Sequence, residues 1–113
     1  MSIFSKLFKT ETNIKSISAT ALKQLLQEDN NLKVIDVRTS DEYKQGHLHK
    51  ATNIDVFSSD FVKKCESKFK HTDKLILYCR SGQRSMNAAK KLELARFESL
   101  YNLKGGFISW SKN

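Results

Sequence analysis

The apolar residues fall into short runs divided by polar stretches, and their period changes from run to run. Leu75-Ile76-Leu77-Tyr78 is continuous, as expected of a strand covered on both faces. Val34, Ile35 and Val37 mark a second strand over 32–37, Ala51–Ile54 and Glu98–Leu103 suit two more, and Ile14 and Ile17 belong to a short first one. Between these runs the period lengthens to that of helices. Leu22, Leu25 and Leu26 share one face of a helix capped by Ser18 and running to Gln27. Phe61, Val62, Cys65 and Phe69 share a face of another, opened by Ser58, Ser59 or Asp60. Met86, Ala88, Ala89 and Leu92 line a third, for which Ser85 is the expected cap and Ala95 the expected end. Two shorter pieces complete the pattern. Asp41–Gln45 is capped by Thr39 or Ser40 and closed by a left-handed Gly46, and Phe107–Trp110 follows a Gly105-Gly106 turn.

Strands alternating with helices at this spacing predict an α/β domain, a parallel sheet of roughly five strands with helices on both faces. Right-handed crossovers bring the carboxyl ends of all strands to one edge. Arg38, after the second strand, and the loop after Tyr78 are therefore expected to share that edge, where open α/β sheets gather their chemistry.

Cys79 ends the buried run, and Arg80, Ser81, Gly82, Gln83 and Arg84 carry the chain to the next helix. A helix N-terminus offers backbone N–H groups and positive potential, and the two arginines add charge. All of these lower a thiol's pKa and favour a bound anion. Cys79 thus reads as a nucleophile in an anion cradle; the plainer alternative is an inert core cysteine. Arg84, at the far end of the loop, is the candidate anion ligand, against a plain surface arginine. Arg80 points either to the anion or outward to a partner, and Gly82 supplies a positive φ.

Composition narrows the setting. The 113 residues make one domain over 14–113 with an arm at 1–13; hydrophobic content is 39% and charged content 28%. On the arm, Ile3, Phe4, Leu7 and Phe8 share a helical face beside Lys6 and Lys9, suiting a segment packed on the domain or a partly ordered tail, with a weak membrane-surface helix as the alternative. It lacks the continuous apolar core of a signal peptide, so a cytoplasmic, reducing location is expected. The longest apolar run, Leu75–Cys79, is far too short to span a membrane, so no stable insertion is expected. Two cysteines suggest no disulfide framework; Cys65 falls on an apolar stripe and reads as core. His47, His49 and His71 lack metal-ligand spacing, and no metal or cofactor is expected. Charge is uneven: residues 1–61 carry eight Lys/Arg against eight Asp/Glu, whereas residues 62–113 carry twelve against four. The field of the second half either draws anions or an acidic partner toward the loop or is a solvated lysine surface. The lysines are scattered and accompany no nucleic-acid-binding motif, so nucleic acid is not expected as a partner.

Several pieces occur in a telling order: Asp36-Val37-Arg38; Glu42-Tyr43 with Gly46-His47-Leu48; Ala51 with Asn53-Ile54; Tyr78-Cys79-Arg80-Ser81-Gly82-Gln83-Arg84-Ser85; and Leu103-Lys104-Gly105-Gly106-Phe107 with Trp110. Together, over residues 14 to 111, they resemble the rhodanese family, specifically its single-domain sulfurtransferases. Two departures lie in one connecting loop. His49-Lys50 stand where the family usually has Pro-Gly, and Asp55 stands where it has proline. The resemblance implies the rhodanese-like three-layer fold and sulfur transfer through a Cys79 persulfide. The donor would be an anionic small molecule such as thiosulfate, and the acceptor cyanide, a thiol or a protein cysteine. Arg80, Ser81, Gly82, Gln83, Arg84 and Ser85 would bind the substrate, their N–H groups curled around the outer sulfur. Asp36 and Arg38 would support the site, Asp36 by accepting loop N–H groups and Arg38 by pairing with Glu42. Related cysteine phosphatases space their residues Cys-x5-Arg, to ring a phosphate with three liganding oxygens. Cys79 and Arg84 are spaced Cys-x4-Arg, which suits a single sulfur atom. An enzyme using thiosulfate or a persulfide, and a carrier or regulatory module loaded by a protein partner, share Cys79 and differ in the donor.

Overall fold

The computed structural model describes residues 13–113. In chain order the elements are β1 (Lys15–Ile17), α1 (Ala19–Glu28), β2 (Lys33–Asp36), α2 (Ser40–Gln45), β3 (Thr52–Asn53), α3 (Phe61–Lys68), β4 (Lys74–Tyr78), α4 (Gln83–Leu94), β5 (Ser99–Leu103) and α5 (Gly106–Ser111). The strands form one parallel sheet in the order β1-β5-β4-β2-β3, with β4 at its centre. Residues 1–12 of the arm expected over 1–13 lie outside the described residues. Among those described, no helix is long and apolar enough to cross a membrane.

Strand parity sorts the core into two layers. Leu75, Leu77 and Cys79 point one way, with Ile35, Val37 and Leu100, and meet Phe61 and Cys65 of α3 and Ala88, Ala89 and Leu92 of α4. Ile76 and Tyr78 point the other way, with Val34 and Leu103, and meet Leu22 of α1; Phe107 and Trp110 of α5 pack against this second layer. Because β4 is covered on both faces, Leu75 through Tyr78 are all fully buried, which explains an apolar run without alternation.

Helix starts and stops follow local chemistry, with one choice settled and two corrections. Thr39, not Ser40, caps α2 through a reciprocal capping box with Glu42. Gly46 closes α2, but at φ +154° and ψ 138° rather than in the left-handed helical conformation. The expected cap of α4, Ser85, lies inside its first turn: the helix starts at Gln83 after Gly82, whose φ of +111° turns the chain into it. Ser18 caps α1 as expected, its hydroxyl accepting from the Ala21 N–H.

Candidate active site

Cys79 lies one residue past β4, almost wholly buried, with its sulfur at the floor of the loop. The Gly82 N–H donates to Sγ at 3.0 Å, and Ser85 Oγ lies 3.4 Å away. Burial pushes the thiol pKa up. The Ser85 hydroxyl and the backbone N–H groups of Ser85, Gly82 and Ser81 more than offset that, and the net shift is downward. The left-handed Gly82 curls the chain so that its own N–H meets the sulfur.

The loop is clamped from outside by α5. The Phe107 N–H donates to the Cys79 carbonyl at 2.8 Å, and the Ile108 N–H to the Arg80 carbonyl at 3.1 Å. This approach needs Gly106: a Cβ there would lie 2.5 Å from both carbonyl oxygens, and its φ is +59°. From β5, Asn102 reaches under the loop and donates Nδ2–H to the Gly82 carbonyl at 3.1 Å. Asn102 was not singled out from sequence. The signal was present: it shares the inward parity of Leu100, so a polar residue occupies an apolar position of the strand.

The two arginines of the loop differ. Arg84 forms a two-pronged ion pair with Glu42 of α2, Nη1 to Oε1 at 2.8 Å and Nη2 to Oε2 at 2.9 Å. Hydrogen bonds from Arg84 outweigh the burial penalty and hold Glu42 at about 2, with help from the Thr39 N–H. Arg80 is exposed and borders an open groove of about 520 Å³ with Arg38, Phe107, Ile108 and Lys112. Ser81 and Gln83 are exposed as well.

Asp36 and Arg38 sit differently from expectation. Arg38 pairs with Asp36, Nη2 to Oδ2 at 2.7 Å, and not with Glu42; its Nη2 also donates to the Gly46 carbonyl at 2.6 Å. Asp36 accepts the Tyr78 hydroxyl at 2.6 Å and the Arg38 N–H at 2.9 Å, and no hydrogen bond joins it to the Cys79 loop. Parity is the reason: Asp36 is in register with Tyr78, so both face away from Cys79. Support reaches the loop indirectly. The Arg38 guanidinium lies 4.5 Å from the Phe107 ring centroid, and Phe107 holds the Cys79 carbonyl.

The sequence model of the rhodanese-like domain matches residues 18–113. The chain belongs to the rhodanese-like domain family. YtwF of Bacillus subtilis is 37% identical over 97 residues, covering 86% of this chain and 90% of its own length. Thiosulfate sulfurtransferase 16, chloroplastic, of Arabidopsis thaliana is 33% identical over 107 residues, covering 87% and 88%. In structure, a rhodanese-like domain protein from Staphylococcus aureus superposes with a TM-score of 0.75 at 28% identity, covering 85% of this chain and 90% of its own. A sulfur-transfer role comes with membership.

In this rhodanese-like domain the second cysteine lies in the hydrophobic core. Cys65 is fully buried among the α3 and α4 side chains, and burial, with the neighbouring Glu66, pushes its thiol up to about 12. Such a thiol is inert near neutrality. Both cysteines are free.

Proposed function

We propose that this rhodanese-like domain is a sulfurtransferase that carries sulfane sulfur on Cys79. The Cys79 thiolate attacks the outer sulfur of thiosulfate or of a persulfide; a new S–S bond forms. The donor's S–S bond breaks, its electron pair leaving on sulfite or on the donor thiolate. An acceptor nucleophile (cyanide, a thiol or a protein cysteine) then takes the outer sulfur and returns Cys79 as thiolate. The observation that carries this reading is the Gly82 N–H donated to the Cys79 sulfur at 3.0 Å in a loop whose backbone N–H groups favour the thiolate, which suits a single anionic atom. Arg80, exposed beside the loop, is the residue proposed to meet an anionic donor, with Ser81 and Gln83 at the rim.

The pairing of Arg84 with Glu42 favours a second reading, in which a protein-borne persulfide is the donor. A guanidinium already neutralised by a carboxylate offers a small dianion less than a free one would. In this reading Arg84 fixes the far end of the loop.

Intact-mass measurement after incubation with thiosulfate distinguishes these. Gain of one sulfur on the native protein, and none on Cys79→Ser, supports the enzyme. Gain only from a protein persulfide supports the carrier. Failure of both donors to load Cys79 would refute sulfur transfer, and a phosphatase assay is then the next measurement.

A further inference from the structure

Three acceptors surround one proton beneath the loop. Ser85 Oγ lies 3.4 Å from Cys79 Sγ and 3.2 Å from the Gly82 carbonyl oxygen, and it makes a very short hydrogen bond to Asn102 Oδ1. A hydroxyl has a single proton to donate. The orientation of Asn102 decides which acceptor receives it. The Gly82 carbonyl, 3.1 Å from Asn102 Nδ2, can only accept, so the amide nitrogen must face it. The reversed amide would set two oxygens against each other at that distance. Asn102 Oδ1 therefore faces Ser85, and because it too can only accept, the Ser85 proton points to Asn102. The sulfur then meets a lone pair of Ser85 Oγ, an arrangement that welcomes the S–H of a neutral thiol.

We propose that Asn102 is a positioning residue which holds the Ser85 proton, so that Ser85 can donate to the Cys79 thiolate only by giving up its bond to Asn102. The hydroxyl's help to the thiolate thus comes at the cost of the Asn102 bond, whereas the backbone N–H groups stabilise the thiolate with no bond to surrender. The inference deepens the sulfur-transfer reading. In a persulfide the inner sulfur is neutral and the charge sits on the outer one, so the Ser85–Asn102 bond survives loading. Asn102 thereby favours the loaded cysteine over the free thiolate. It is buried on β5, in register with Leu77, and on the same face of the sheet as Cys79.

The charged groups around Cys79 do not compete for this role. Arg84 on α4 faces it and is bound to Glu42 of α2, and Asp55 acts on Arg84 from the segment before α3. Arg84 is shifted further upward and Glu42 sits at about 2, so neither titrates near neutrality. Helix α5 contributes backbone N–H groups to the loop.

The test is the pH profile of Cys79 alkylation by iodoacetamide, read by mass at that residue in the full chain, without a sulfur donor. Asn102→Ala frees the hydroxyl, and the midpoint is expected to fall by about one unit, the effect of a hydrogen bond to a charged group. Ser85→Ala is expected to move it by less than about half a unit, because the sulfur loses little. The double variant is expected to match Ser85→Ala. An Asn102→Ala midpoint that is unmoved or raised overturns the proposal, as does a fall that persists without Ser85. A rise of a unit or more in Ser85→Ala also overturns it and decides alone if Asn102→Ala does not fold. Failure of thiosulfate loading leaves this profile untouched, so the two readings fall separately.

Discussion

Gly106→Ala tests whether the clamp from α5 makes Cys79 reactive. A Cβ at this position would stand 2.5 Å from the Cys79 and Arg80 carbonyl oxygens and 2.6 Å from the Arg80 carbonyl carbon. These are backbone atoms, so no side-chain rotation relieves the contact, and α5 must retreat from the loop. Retreat weakens two hydrogen bonds, Phe107 to Cys79 at 2.8 Å and Ile108 to Arg80 at 3.1 Å, each worth about 1 kcal/mol. The left-handed backbone at φ +59° costs alanine about 1 kcal/mol more. The total is about 3 kcal/mol, or roughly 12 °C in melting temperature for a domain of this size. Freed from its clamp, the Cys79 carbonyl lets the N–H groups drift off the sulfur. The alkylation rate of Cys79 at neutral pH should then fall about tenfold, one unit of thiol pKa. Thermal melting and the alkylation rate, measured on one preparation, give both numbers. A variant melting within about 4 °C of the native protein would refute the steric argument. A variant that melts early but alkylates at the native rate would sever the clamp from reactivity.

Two further outcomes follow from charge and backbone. Glu42 is depressed from 4.5 to about 2 by Arg84, so its contribution is fully present above pH 4.5 and is lost as pH falls toward 2. Discounted for its partial exposure, that is roughly 1–2 kcal/mol; urea unfolding at pH 6 and pH 3 should show the loss in the native protein, and an equal loss in Glu42→Gln would disprove the assignment. Lys50, where the family usually has glycine, sits at φ +65°, so Lys50→Gly should raise stability by about 0.5 kcal/mol, and a lower melting temperature would contradict this.

Much of this domain can be read directly from the chain. The continuous run 75–78 places a strand buried on both faces, and alternation with helices gives the parallel sheet. The ordered motifs around Cys79 give the family. Harder to read is what depends on which neighbour a side chain finds. Arg38 and Glu42 looked like partners because they are four residues apart across a short helix. The crossovers instead bring Arg84, forty-two residues on, to Glu42, and parity turns Arg38 back to Asp36. Ser85 has the chemistry of a helix cap, yet burial beside Asn102 and Cys79 gives its hydroxyl other partners. Asn102 itself betrays its importance only once strand parity is fixed.

The hydrogen bonds from Phe107 and Ile108 carry one more consequence, for motion. Helix α5 is six residues long, joins the loop through backbone bonds and rests Phe107 and Trp110 on the second core layer. Short elements of this kind open at far lower free energy than a central strand such as β4. Each such opening would release the Cys79 carbonyl while the sheet stays intact. Hydrogen exchange at the Phe107 and Ile108 amides therefore reports how often the clamp on the Cys79 loop opens.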